Sequence, residues 1–344
     1  MQRIDTSTAV GSLPTPDPLG SPGYFNHAPP GSGNTPTLVS SDWCNMVQEE
    51  LVAIPLYAGL TLDKTNHGQV LAGILSLLDS AGVNGTGSIF GLILSNTPSA
   101  LTTSVTISVG QCRDSTNSAS IALSAPIGKL LTAVFAAGSG NGGRDNAGAL
   151  ANGQTWHVFL ILNPTSGAVD GLFSQSPTAP TLPTGFTKFR RLGAVVLDAA
   201  ATTIRAFKQV GDYFKYQLRS TDYAAQANGS GVAYLRQIAV PNGIKVEAEM
   251  YFQSTGTVST TPAFLSGIFD PDFGVPPAFG PSTQWAQVRR SGLTDSGGTG
   301  VSYDTKIVRQ FTDASRQVYT FSSDTGDIIA LGVLGWRDER GKFY

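Results

Sequence analysis

Charge is scarce in this chain. Only 13% of its 344 residues are Asp, Glu, Lys or Arg, against roughly 25% in ordinary soluble domains. The formal net charge is −2, so the basic footprint that a nucleic-acid partner demands is missing. Histidine is almost absent: His27, His67 and His157 stand alone, and no His-x-x-x-His or Cys-x-x-Cys spacing offers a zinc ligand set. Cys44 and Cys112 sit in different regions and form no disulfide framework. No Gly-x-Ser-x-Gly elbow occurs, which removes the usual serine-hydrolase signature. Long apolar runs are missing too. The most apolar helix-like stretch, Val70 to Leu78, is too short to span a bilayer and is broken by Gly73 and Ser76. The opening MQRIDTSTAVGSLPTP lacks the apolar centre of a signal peptide. The expectation is a soluble protein made in a cytoplasm, with no cofactor and no metal.

What the chain has instead is glycine and proline, 40 and 20 residues, and short β-rich runs between them. The stretch from Trp156 to Leu197 sets the pattern. WHVFLILNPTSGAVDGLFS reads as a hairpin, SPTAPTLPTGFT as a proline-rich loop, and KFRRLGAVVLD as a long third strand. Lys245–Gln253 alternates, with Val246, Ala248, Met250 and Phe252 on one face and Lys245, Glu247, Glu249 and Tyr251 on the other. Asp212–Leu218 repeats this, with Phe214, Tyr216 and Leu218 inward. Further strands are expected at Ser104–Val109, Ala119–Leu123, Leu130–Phe135, Thr202–Phe207, Gln284–Arg290, Lys306–Phe311, Gln317–Phe321 and Ile328–Trp336. Many short strands with regular turn signals predict a mainly β fold, an antiparallel β-sandwich or jelly roll over residues 86–344. A division of that region into two modules near 220–240 is left open.

The first 85 residues differ. Seven prolines and five glycines fall in residues 1–40, and the apolar residues there have no period. Such a segment cannot offset its ordering entropy alone. It is expected to be an extended docking arm laid over neighbouring subunits, with a floppy tail as the alternative. Residues 41–85 read as a helical anchor. Ser41 caps a helix from Asp42, with Trp43, Val47, Leu51 and Ile54 on one face and Pro55 as its end. Asn66 caps a second helix with Gln69 in capping-box register, and Val70, Leu71, Ile74, Leu75 and Leu78 form its stripe. Each helix is too short to stand alone, so the pair must pack on the β region or on copies of itself.

Four segments of this N-terminal part, MQRIDTSTAVGSLPTP, GSPGYFN, VSSDWCNMVQEELVAI and AGLTLDKTNHGQVLAGI, resemble the N-terminal anchor of tail fibre and tail-tip proteins of tailed bacteriophages and prophages. Cys44 between the Trp and the Asn, and Val70 after the Gln, depart mildly from that pattern. A second resemblance spans about residues 104–215. There VGQCRDSTNSASIALSAPIGK, GSGNGG, WHVFLILNPTSGAVDGLFS and LPTGFTKFRRLG are similar to a module of phage tail fibres and receptor-binding proteins. The resemblance implies a virion tail component, a homotrimer, with other tail proteins and a bacterial surface receptor (glycan or protein) as partners. Assembly would rest on Trp43, Val47, Leu51, Ile54, Leu71 and Ile74. It supplies no catalytic residues.

Three stretches invite a chemical role. Gly138–Gly143 matches Gly-x-Gly-x-x-Gly, but no helix or suitably spaced acid follows, so a flexible hairpin loop is expected. Asp270-Pro-Asp272 brings two carboxylates together amid Phe269, Phe273, Phe279 and Trp285. These six residues are the candidates for a receptor loop. A calcium site or a glycosidase pair is the sharper alternative, and an Asx-type turn the simpler one. Arg190-Arg191 and Arg289-Arg290 each put one basic side chain outward, towards acidic polymers or surface ion pairs. The closing Trp336–Tyr344 run is expected to be docked. The expected function is therefore non-enzymatic attachment, with a tail polysaccharide-degrading enzyme or a purely structural tail hub as alternatives.

Overall fold

A computed structural model describes residues 2–27, 31, 33, 35–80, 87–229, 231–257, 264–275, 286–290, 301–322 and 327–342. The chain divides into two compact units, Met1–Gly85 and Thr86–Tyr344. No helix of the described residues is long and apolar enough to cross a membrane.

The first unit holds α1 (Ser41–Tyr57) and α2 (Gln69–Ser80). The cap of α1 is Ser40 rather than Ser41: its extended backbone lets Oγ accept from the Trp43 N–H at 3.2 Å. Pro55 does not end the helix, because it lies in the last turn. The stop is Gly59, at φ +73°. The Leu60 N–H donates to Pro55 O and the Gly59 N–H to Leu56 O, the paired bonds of a Schellman ending. Gln69 does not close a capping box on Asn66. Its amide accepts from the Asp63 N–H and donates to Thr61 O, tying down the preceding segment. The helices cross where Gly73 lets α2 approach Ile54 and Pro55: a Cβ there would sit 3.1 Å from both.

Within the first unit the arm makes contacts to α1 and to the segment before α2. Arg3 makes a bidentate pair with Glu49, the Ile4 N–H donates to Gln48, and Lys64 reaches Asp5. The Asp17 N–H donates to Asp42, and Phe25 packs edge-on against Trp43.

The second unit is mainly β. Its strands are β1 (Ile89–Gly91), β2 (Leu94–Asn96), β3 (Ser104–Ile107), β4 (Gly110–Arg113), β5 (Ser120–Leu123), β6 (Ile127–Val134) and β7 (Gly142–Arg144). There follow β8 (Thr155–Leu162), β9 (Val169–Ser174), β10 (Lys188–Val196), β11 (Phe207–Val210), β12 (Tyr213–Tyr216), β13 (Tyr223–Asn228) and β14 (Ala233–Gln237). The last are β15 (Glu247–Thr257), β16 (Phe264–Phe269), β17 (Ala286–Arg290), β18 (Val301–Phe311), β19 (Gln317–Ser322) and β20 (Asp327–Arg337). One large sheet runs β10-β8-β9-β7-β6-β3-β2-β11-β12-β20-β15-β18, with β13 also on β20. Two small sheets, β1-β4-β5 and β14-β19-β16-β17, complete the sandwich-like arrangement. Pairing is antiparallel except at β7, which is parallel to both β6 and β9.

Side-chain period explains most of this. Val246, just before β15, and Ala248, Met250 and Phe252 on it are buried as the alternation requires. They share one core with Ile329, Leu331, Val333 and Trp336 of β20. Trp336 stacks on Phe214 with centroids 5.3 Å apart and meets the edge of Tyr216. β8 is buried on both faces. Trp156, Val158 and Leu160 face the main core, while Phe159 and Ile161 join Leu172 in a second cluster. The proline-rich loop covers that second cluster with Leu182 and Phe186.

Three expectations fail locally. The Asp212–Leu218 strand stops at Tyr216, leaving Leu218 exposed. Thr202–Ala206 is not a strand but a link with one isolated bridge, Leu197 to Ile204. The Gly138–Gly143 loop is neither free nor a simple hairpin, since it feeds β7. Its turn is pinned by the buried Lys129, which donates to Ala136 O and Gly138 O and pairs with Asp170 at 3.0 Å. Asp170 also accepts from the Gly138 N–H.

Candidate functional site

The cleft of the β unit forms where the end of β20 folds back over the edge strand β10. Asp338, just past β20, accepts two bonds from Arg191, at 2.6 and 2.7 Å. It also accepts from the Arg340 N–H, which tightens the turn. Arg340 takes φ +56°, an uncommon conformation for a side chain of this size. Its guanidinium forks onto Asp212 at 2.9 and 2.7 Å, and Lys342 joins the same carboxylate. The Asp338 N–H donates to Asp212 O. Arg190, on the same strand as Arg191, donates from Nη2 to Gly87 O, Arg340 O and Gly341 O. An exposed sheet edge is thus closed by side chains rather than by another strand.

Beside this seam lies a cleft of about 1010 Å³. Phe159, Phe189, Pro177, Ile244 and Phe311 supply apolar lining, and most of the rest is charged. Five cationic side chains face six acidic ones. Most neutralise one another: Arg191 with Asp338, Arg340 with Asp212, Arg337 with Glu247 at 3.3 Å, and Lys245 with Asp272. Such a cleft suits a ligand with an apolar or ring face and several polar groups. Among the described residues, no group of His, Cys, Asp and Glu is arranged to hold a metal ion.

The electrostatics follow from burial. Burial acts to raise the Asp338 carboxyl, but the Arg191 charge and its hydrogen bonds outweigh this and hold it below the usual range. Asp212 is likewise lowered: burial opposes, and Lys342 and Arg340 prevail. Arg190 is lowered by burial, with the neighbouring Arg191 and Arg340 adding to it. His157 is fully buried; burial, then the Arg191 charge, push it down to about 4. Its Nε2 donates to Asn242 O at 3.0 Å and its Nδ1 has no partner. Burial pushes the Cys112 thiol up to about 12, so it is not a poised nucleophile.

Some of the sequence candidates meet here. Asp270 and Asp272 line the cleft, but as a turn: Asp270 caps the short 3-10 helix Pro271–Phe273 by accepting from the Asp272 N–H. Phe269 is buried against Phe321, which fixes the loop to the core, while Phe273 is exposed. Phe279 and Trp285 lie outside the described residues. Arg190 and Arg191 are not surface cations but the seam itself; the side chains of Arg289 and Arg290 lie outside the described set. The docked run Arg337–Lys342 supplies the residues that sequence reasoning did not single out. Their only signal was a charged, aromatic ending.

In the helical unit, Val52 and Pro55 are the buried positions of α1, with Val47 and Ile54 half-buried. Trp43 and Leu51, expected on one apolar face with Val47 and Ile54, are exposed, as are Met46, Leu56, Leu71, Ile74, Leu75 and Leu78. The stripe expected on α2 is therefore outward; the inner face is made by Gln69 and Gly73. No family model matches the chain, and no curated protein matches its sequence.

Proposed function

We propose that this chain is a bacteriophage tail fibre or tail-tip structural protein. Its N-terminal unit anchors it to the tail and to copies of itself, as a trimer, and its β unit meets the bacterial surface. The observation that carries this is the open apolar surface of the helical unit. Trp43, Leu51, Leu71 and Ile74 stay exposed beside an arm that also leaves Leu13, Leu19 and Tyr24 in solvent. Burying one such side chain fully is worth about 1.5–3 kcal/mol, so two short helices left this bare are built to be covered. The two resemblances, in the anchor and in the β module, support the same assignment. Attachment needs no chemistry: several copies acting together raise a weak contact to a lasting one. The Asp270 carboxylate is committed to its turn, which speaks against a glycosidase pair at that loop.

The test is the solution mass of the full chain by light scattering, together with its adsorption to susceptible cells. A threefold mass with adsorption supports the assignment. A stable monomer removes the trimer; a trimer that never adheres to cells makes the chain a tail hub instead.

A further inference from the structure

Among the described residues, one cation in the cleft is left over. Arg190 is 6% exposed and Arg340 3%, and both line the cleft. Arg340 has its carboxylate, Asp212, yet its Nη1 has no acceptor. Arg190 has no carboxylate ion-pair partner among the described residues. Its three bonds among the described residues leave from Nη2, to main-chain carbonyls, and among those residues its Nε has no acceptor. A buried guanidinium without a counter-charge is costly, and an unmet N–H adds to that. The two guanidiniums, one of them without a counter-charge, are 150 residues apart in sequence and line one cleft.

The remaining lining says what kind of anion fits. With five cationic and six acidic side chains among its described residues, the cleft is poorly suited to a polyanion. A single planar carboxylate matches a guanidinium fork. Glu339, which has no cation partner among the described residues, can accept hydroxyl groups. Phe189 and Phe311 offer apolar faces for a ring.

We propose that the Arg190–Arg340 end of the cleft binds the carboxylate of an acidic sugar, a uronic-acid unit within a surface glycan. The sugar's source, a bacterial surface, rests on the attachment role above; the site itself does not.

The experiment titrates the full chain with free glucuronate and, separately, glucose, by calorimetry, and measures adsorption to cells in parallel. Saturable glucuronate binding with none for glucose is expected. Arg190→Gln weakens it about tenfold to a hundredfold, as the loss of a charged hydrogen-bond donor does. Arg190→Lys keeps the charge but not the fork and falls between. Should Arg190→Gln fail to fold, Phe189→Ala on the cleft wall is to weaken the same binding. No saturable glucuronate binding by the wild-type chain, or equal binding of glucose, overturns the site. Adsorption without glucuronate binding removes the site and keeps the attachment role; glucuronate binding without adsorption does the reverse.

Discussion

Removing the Asp338 charge should open the seam over β10. In Asp338→Asn the Arg191 guanidinium keeps its burial but loses the carboxylate that held it at 2.6 and 2.7 Å. Breaking a buried pair from one side typically costs about 3–5 kcal/mol, because the stranded charge is uncompensated. For a unit of this size each kcal/mol moves the midpoint by roughly 2–4 °C, so the melting temperature should fall by about 6–20 °C. Near-ultraviolet circular dichroism is a suitable readout, since Trp336 lies two residues from the substitution and is packed on Phe214. The double variant Arg191→Met with Asp338→Leu should regain most of the loss, as apolar replacements of buried pairs often do. A fall under about 2 °C in Asp338→Asn, or additive losses in the double variant, would refute the account of a charge-closed edge.

Other substitutions probe other parts. His157 titrates near 4 in the native protein against about 6.5 when free. The unfolded chain therefore takes up the proton first as pH falls. Stability from this site is complete above about pH 6.5 and drains away towards pH 4, by at most about 3 kcal/mol. Urea midpoints at pH 7 and pH 5 should differ accordingly, and His157→Gln should flatten the slope. Asp338 adds a later loss, below the usual carboxylate range, because its native value is lowered. Gly142→Ala should cost more than about 2 kcal/mol, since a Cβ there would sit 2.1 Å from Val134 O, main chain that cannot turn aside. Gly73→Val should separate α1 from α2, with Ile54 and Pro55 at 3.1 Å. It should cost about 1–3 kcal/mol, seen as lost helical signal with the β signal intact.

Where the fold was legible, one local rule was enough. Alternation located β15 because one face of that strand is buried and the other is not. The mainly β class followed from the same rule, while short strands such as β1, β2, β13, β14 and β16 were not among those expected. The ends of elements were less legible because they depend on bonds to a specific neighbour. Pro55 looked like a stop, yet the helix ends through Gly59, whose positive φ permits the closing bonds. The cleft was hardly legible at all. Arg191 and Asp338 are 147 residues apart, and no periodicity links a charge to its partner at that range. Of two adjacent arginines on a strand, alternation puts one outward. Both are drawn in because a returning segment covers the edge they stand on. The stripe on α2 was readable as apolar, but a pattern cannot say whether its own chain covers it.

A seam closed by charge and a ligand site made from the same charges are not independent. Arg190 grips the main chain at Arg340 and Gly341 while its own charge stays unmatched. A bound carboxylate supplies the missing counter-charge at the point where the returning segment is fastened. Binding to the folded chain alone must then stabilise it, by about 2.7 kcal/mol at a ligand concentration a hundred times the Kd. That corresponds to a rise of roughly 5–11 °C in the melting temperature. Glucuronate should produce it in the wild-type chain and glucose should not. In Asp338→Asn the rise should shrink, because the segment that presents Arg340 is no longer held on β10. A full rise in that variant would mean that the sugar binds away from the seam, and that the unmatched charge of Arg190 is a feature of the fold alone.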